Sequence, residues 1–313
     1  MVQLQAEKQA KISPRLAPDF KDLLEMKRYL PYLKNINFKK TGTYSGNTKS
    51  AFKGRGVEFE EVRAYAFGDD LRDIDWRVTA RKNTPYTKLY AEEKDREVYV
   101  FADLSPDMFF GTKKELKSVT VAKTCALIGW FVLQNKDRFG LAVFDGTQTH
   151  IFKADRRYEN FFALLKELEK FCLSGLQNKE QTAENAQDQI NSLRALRQKL
   201  KDGAIVFLVG TFSNFLSQKI WTQEIKSLAL KNELYLAEVF DPLEAYAPPK
   251  GWYPAIYGNT HTILANQTKN FEADYNAYFQ QKRAELKNFC NKIQASYREI
   301  QNDLPIYAGL SPI

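Results

Sequence analysis

Asp103, Ser105 and Asp107 carry oxygen at alternate positions, directly after the apolar run Val98-Tyr-Val-Phe-Ala102. In an extended chain alternate side chains point the same way, so the three converge before Pro106 turns the backbone. Carboxylate and hydroxyl oxygens gathered beyond the carboxyl end of a strand suit a hard cation such as Mg²⁺. The run before them is β-branched, aromatic or small and free of charge, which predicts a strand covered on both faces in the middle of a sheet. Asp107 has a second reading, because an aspartate ahead of a helical run accepts backbone N–H bonds and caps the helix with or without metal.

A second group of candidates fills Gly54 to Arg81. Seven acids (Glu58, Glu60, Glu61, Asp69, Asp70, Asp73, Asp75) alternate with Arg55, Arg63, Arg72, Arg77 and Arg81. Arginine forks on carboxylates hold an irregular segment rigid, since each bidentate pair fixes direction as well as distance. The other reading is a catalytic carboxylate pair or a metal loop. The spacing is not that of an EF-hand, which needs a glycine at its sharp turn and a closing glutamate.

Several elements must position these residues. Pro18-Asp19 offers a cap for an amphipathic helix reaching about Leu33. Tyr86 to Glu92 reads as a strand, Lys114 to Gln134 as a helix apolar on most sides, and Arg138 to Phe144 with His150 to Lys153 as a hairpin around Asp145-Gly146. Helices are predicted over Arg157 to Phe171, 184 to 200, within Ser213 to Leu230, and over about Lys269 to Ala295. Strands are predicted at Ala204 to Val209, Glu233 to Phe240 and, at one edge, Tyr297 to Ile300. Pro248-Pro249 and Tyr257-Gly-Asn-Thr260 mark a hairpin excursion over 248–264. Strands alternating with helices of this length predict an α/β fold with a doubly wound, mostly parallel sheet and helices on both faces. In such a sheet Thr182, in a polar loop, and Gly210-Thr211, after the second apolar strand, reach the same end as Asp103.

Composition bounds the function. The 313 residues are 44% hydrophobic and 27% charged, as in a globular protein. Residues 1–57 hold 12 Lys/Arg against 4 Asp/Glu, the whole of the +8 net charge, and the remaining residues hold 34 of each. A basic arm of this kind binds nucleic acid, anionic lipid or an acidic protein surface, or serves as a solvated extension. The polar N-terminus has no targeting segment and no apolar run is long enough to cross a bilayer, so a cytoplasmic protein is expected. Cys125, Cys172 and Cys290 stand alone in helical patterns and read as packed thiols. The two histidines, His150 and His261, lie far apart, and no Walker, G-x-S-x-G, H-E-x-x-H or zinc spacing occurs.

The run G-R-G-x-E-F-x-E-V-R-x-Y-x-x-G-D-D-x-R-x-I-D-W-R-x-x-A-R over 54 to 81, followed by a V-x-x-D-L-S strand end, resembles the signature of domain-of-unknown-function family 58. The likeness extends over nearly all of the chain from about residue 15 and is highly specific over 54 to 81. It implies a von Willebrand factor A-like, Rossmann-like domain over 97–313. A basic helix and loop at 1–57 and the Arg/Asp-rich segment at 58–96, packed on that domain, would precede it. The signature positions are Arg55, Glu58, Arg63, Tyr65, Gly68, Asp69, Asp70, Arg72, Asp75, Trp76, Arg77 and Arg81. Members of the family are commonly associated with MoxR-type AAA+ ATPases in systems that assemble or activate other complexes. A von Willebrand factor A metal site reads D-x-S-x-S, with a threonine and an aspartate from two further loops. Asp103 and Ser105 match, Asp107 replaces the second serine, and Thr182 is the candidate threonine. Around Thr211 the sequence is Val209-Gly-Thr-Phe212, without the third-loop aspartate.

Two function classes follow. One is a non-catalytic binding and assembly module, an adaptor for a MoxR-type ATPase and a client complex, with a degenerate Mg²⁺-dependent adhesion site. The other is a metal-dependent hydrolase or nucleic-acid-binding protein using Asp103, Asp107 and the Asp69/Asp70 pair, its basic arm gripping phosphates. The first is favoured because the second needs several clustered carboxylates and the sequence brings two to one strand end.

Overall fold

The computed structural model describes residues 12–33, 57–92, 95–177, 186–212, 216, 218–257, 260–267 and 270–310. The chain divides into two units, Met1–Asn37 with Arg96–Ile313, and Phe38–Asp95. The helix of the basic arm is thus counted with the larger unit.

That helix, α1 (Phe20–Glu25), opens on a reciprocal capping box: Asp22 N–H donates to Asp19 Oδ1, and Asp19 N–H to Asp22 Oδ2. It is shorter than its apolar stripe predicts, and Met26–Leu33 continue as 3₁₀ turns. Pro31 supplies no N–H and disfavours helical backbone in the residue before it, which leaves the tighter winding.

The smaller unit is a two-stranded antiparallel ribbon, β1 (Val57–Ala64) on β2 (Tyr86–Glu92), with α2 (Trp76–Lys82) in the excursion between them. β1 falls where an irregular charged segment is expected. The alternation Val57-Glu-Phe59 is a strand pattern masked by its acids, and a register shift between Phe59 and Glu61 accommodates the extra residue.

The larger unit runs through β3 (Glu97–Asp103), α3 (Lys117–Gln134), β4 (Arg138–Phe144), β5 (Thr149–Asp155), α4 (Tyr158–Gln177), α5 (Ala186–Lys199), β6 (Ile205–Gly210) and α6 (Lys219–Ala229). It continues through β7 (Glu233–Phe240), the hairpin β8 (Gly251–Tyr257) and β9 (Thr260–Asn266), α7 (Phe271–Lys292), β10 (Ser296–Gln301) and α8 (Ile306–Leu310). The sheet order is β10-β7-β6-β3-β4-β5, parallel throughout except for the hairpin strand β5. This is the doubly wound α/β sheet expected. Winding proceeds from β3 towards β5, then restarts at β6 and proceeds towards β10. The switch point therefore lies between β3 and β6, and there the carboxyl ends of both strands meet.

Burial follows side-chain alternation. Tyr99 and Phe101 of β3 join Leu193 of α5, Trp221 and Ile225 of α6 and Leu286 of α7 in one cluster. Val98, Val100 and Ala102 face the other way, where α3 lies along the sheet. Because α1, the 3₁₀ turns, α4 and α8 pack on the outer side of α3, fifteen of its eighteen residues are buried. A helix apolar all round is stable only when covered like this. Cys125, Cys172 and Cys290 are buried and unbridged, as packed thiols. Among the described residues no helix is long and apolar enough to cross a membrane.

Gly129 fixes how closely α3 approaches α4. A Cβ there would lie 2.3 Å from Phe161 Cε2, and Phe161 is itself held edge-on by Trp130 and Phe139. Gly129→Ala should therefore destabilise by about 1–3 kcal/mol, against the gain of about 1 kcal/mol that alanine brings to an open helix. Denaturant unfolding checks this, and a stabilised variant would mean that the aromatic cluster repacks freely.

Candidate functional site

β3 ends on Asp103, and its position decides what the site does. The side chain is fully buried, as is Ser105. Oδ1 accepts the Ser105 N–H at 3.0 Å, while Leu104 N–H donates to Phe144 O and Met108 N–H to Ser105 O, turning the chain at once into a 3₁₀ turn over Pro106–Met108. Asp103 Oδ2 and Ser105 Oγ are buried with no hydrogen-bond partner among the described residues. Across the switch point Gly210 makes room: a Cβ there would sit 2.4 Å from Asp103 Cβ and 2.8 Å from Oδ2. Burial pushes the Asp103 carboxyl up to about 6. The nearby Ser105 hydroxyl, then the Ser105 N–H, pull it down, Asp107 adds repulsion and the charge of Lys117 opposes it.

Asp107 is half-buried, in the first turn of the short 3₁₀ segment. It does not cap α3, whose N-cap position is Leu116. Burial again raises its carboxyl, Lys117 opposes this, and Glu244 adds to it. Sequence reading missed Lys117. It opens α3, is 2% exposed, and donates from Nζ to Glu244 Oε1 at 2.8 Å. A lysine interrupting an otherwise apolar buried helix was the available signal.

The same crest holds a network that the sequence reading also lacked. Asp241, at the end of β7, is fully buried and accepts four bonds. They come from Thr112 N–H at 2.8 Å, Thr112 Oγ1 at 2.5 Å, Leu243 N–H at 2.9 Å and Asn302 Nδ2 at 2.9 Å. Asn302 follows β10 and also donates to Glu115 O, while Glu244 Oε2 accepts Asp241 N–H. The segment between β3 and α3 is thereby tied down over the carboxyl ends of β7 and β10. The D-P-L-E sequence from Asp241 to Glu244 is a capping box that could have been read in advance.

The other candidates divide. Thr211 donates its hydroxyl to Val239 O at 2.9 Å, which ties this loop to β7 and leaves the oxygen lone pairs free. Its neighbour Phe212 donates its N–H to Glu238 Oε2 at 2.8 Å, so the carboxylate nearest that loop comes from β7. Thr182 and Arg55 lie outside the described residues, and of Glu58 only the backbone, in β1, is described. No group of three or more His, Cys, Asp or Glu among the described residues is placed to hold a metal ion. The oxygens that fit a hard cation are the two unpartnered ones, Asp103 Oδ2 and Ser105 Oγ, with Asp107 close enough to feel the same charges.

In the smaller unit one arginine meets a carboxylate, Arg63 Nη2 on Asp69 Oδ1 at 2.7 Å, but through a single nitrogen rather than the bidentate fork expected, since Nη1 donates to Ala64 O at 3.0 Å. The other acids are used differently. Asp69 Oδ2 accepts Ala66 N–H, Asp70 accepts Arg72 N–H, and Asp75 accepts the N–H groups of Arg77 and Val78 as the N-cap of α2. Tyr65 N–H closes the ribbon on Pro85 O, and Gly68 takes φ +101°, which an L side chain resists. Arg72, Arg77 and Arg81 are exposed and have no side-chain partner among the described residues. Phe67, Leu71 and Trp76 are exposed as well.

A family described as "Protein of unknown function DUF58" matches residues 61–285. The chain belongs to that family. DUF58 is the family whose signature residues 54–81 resemble, although the matched region begins inside that signature rather than near residue 15. The Mycobacterium tuberculosis (strain ATCC 25618 / H37Rv) protein "Uncharacterized protein Rv1480" and the Mycobacterium bovis "Uncharacterized protein Mb1516" are each 25% identical over 218 residues, 69% of this chain. The match spans 65% of the length of these curated relatives. Among solved structures, an aerotolerance-related membrane protein from Bacteroides fragilis NCTC 9343 is similar with a TM-score of 0.42 at 11% identity, covering 69% of this chain and 94% of that one. "von Willebrand factor type A from Catenulispora acidiphila" is similar with a TM-score of 0.38 at 9% identity, covering 72% and 43%.

The Asp241 network carries a prediction. Burial alone would raise this carboxyl, but its bonds from Thr112, Leu243 and Asn302 outweigh burial and hold it below its ordinary value of 3.8. A depressed folded pKa means that the stabilisation is complete above pH 3.8 and is lost as the pH falls towards the folded value. Asp241→Asn presents an NH₂ to donors and should cost about 3 kcal/mol in chemical unfolding at neutral pH. The gap to wild type should narrow below pH 3.8. Equal stability at neutral pH would show that these bonds do not hold the crest together.

Proposed function

We propose that the chain is a non-catalytic protein-binding module, an adaptor that works with a MoxR-type AAA+ ATPase in assembling a client complex. The observation that carries this reading is the exposure of Phe67, Leu71 and Trp76, at 104%, 65% and 70%, within ten residues of the signature segment. Large apolar side chains left in water so close together, with Arg72, Arg77 and Arg81 nearby in sequence, have the composition of a binding surface, in which Trp and Arg contribute most.

A second reading is favoured by the unpartnered pair at the crest. Asp103 Oδ2 and Ser105 Oγ would hold a Mg²⁺ ion, with Asp107 adding negative charge. The cation would offer a coordination position to a partner's carboxylate.

Retention of the purified ATPase on immobilised wild-type chain tests both. Under the first reading, Trp76→Ala weakens retention by about 30-fold, the effect of losing a central anchor worth about 2 kcal/mol, and chelator changes nothing. Loss of retention in chelator and in Asp103→Ala, with Trp76→Ala unaffected, would favour the metal reading. No retention in any condition would reject the ATPase as partner.

A further inference from the structure

We propose that the exposed side chains of the signature segment, Phe67, Leu71, Arg72, Trp76, Arg77 and Arg81, dock an acidic segment of a partner protein that carries aliphatic or aromatic side chains between its carboxylates. The inference takes the protein-binding reading as given and names the chemistry of the partner.

The argument rests on how the segment divides its charges. In sequence its acids and arginines look balanced. In space, three of the four acids between Asp69 and Asp75 are turned onto the segment's own donors. Asp69 takes Arg63 and the Ala66 N–H, Asp70 takes the Arg72 N–H, and Asp75 takes two amides of α2 with Lys88 Nζ at 3.7 Å. The backbone bonds from Val78 and Arg77 help hold Asp75 below the ordinary carboxylate range, so it stays an anion committed inward. Arg72, Arg77 and Arg81 stand exposed with no side-chain partner among the described residues. A guanidinium does not lose its proton, so these are permanent cations. Arg77 and Arg81 are also one turn apart on α2, where like charges repel. An anion between them would reverse that cost.

Leu71 offers no ring on which a base could stack, and Asp70 and Asp73 lie among the arginines, where they would repel a continuous run of phosphates. Discrete carboxylates spaced by apolar side chains avoid those positions and use Phe67, Leu71 and Trp76 as well. An acidic, partly apolar peptide therefore fits better than a nucleic acid.

The test uses the full chain and four fluorescent probes. Three are twelve-residue peptides in which Leu and Phe alternate with Glu, with Lys or with Ser, and the fourth is a twelve-nucleotide oligo-dT. Fluorescence polarisation should show binding of the Glu peptide alone, weakening as salt is raised. The triple variant Arg72→Gln, Arg77→Gln, Arg81→Gln should bind it at least tenfold more weakly, and so should Trp76→Ala. Removing three exposed lysines elsewhere (Lys199→Gln, Lys250→Gln, Lys287→Gln) should leave binding unchanged. All the substituted side chains are exposed, so unchanged thermal unfolding serves as the folding control. Equal binding by the arginine triple variant, no binding of the Glu peptide, or preference for oligo-dT would each overturn the inference. Peptide binding without ATPase retention would reject only the choice of ATPase. ATPase retention untouched by the arginine triple variant would reject the acidic partner and leave the adaptor reading standing.

Discussion

A carboxylate carried out of water must be held by donors or by a cation, and the crest of this sheet meets that requirement in two ways. Asp241 is surrounded by amide, hydroxyl and carboxamide donors, and its charge is thereby stabilised despite full burial. Asp103 has one oxygen on the Ser105 amide, while the other meets no close donor among the described residues. The first carboxylate fastens a loop, and the second stores an unmet demand at the switch point. The opposite directions of their acidities express this difference.

Lys117 links the two. It occupies the first position of α3, where the helix dipole is unfavourable to a cation, and it is almost wholly buried. Neither circumstance is tolerable without anions, and Glu244 supplies the direct contact. Glu244 also accepts the Asp241 amide, so the residue that fixes the lysine completes the turn after β7. Removing any one of these groups would leave a buried partner uncompensated, which makes the crest an interlocked unit rather than a set of independent pairs.

The sheet was legible because its central strands are unbroken apolar runs and their crossovers are long. The strand end at Asp103 followed from the same pattern. What escaped was set by contacts distant in sequence. Thr112 meets Asp241 across 129 residues, and Asn302 meets Glu115 across 187, and no local periodicity signals either. The helix predicted to reach Leu33 gives way to 3₁₀ turns from Met26, in a segment that contains Pro31, a local signal outweighed by an apolar stripe. β1 was obscured because acids occupy alternate positions of a strand that hydropathy alone reads as irregular.

The signature segment shows why a mixed-charge stretch cannot be resolved by counting signs. An exposed ion pair contributes about 0–1 kcal/mol, whereas a carboxylate capping free helix amides contributes about 0.5–2 kcal/mol and immobilises a shorter side chain. Where both partners are within reach, the backbone wins the aspartate. Asp70 and Asp75 follow that preference, and only Asp69, placed by the Gly68 turn, serves an amide and an arginine together. The arginines nearby are therefore left over as a consequence of turn formation. The aspartates are fixed in place by the turns they make, while the arginines beside them are left free to meet a partner.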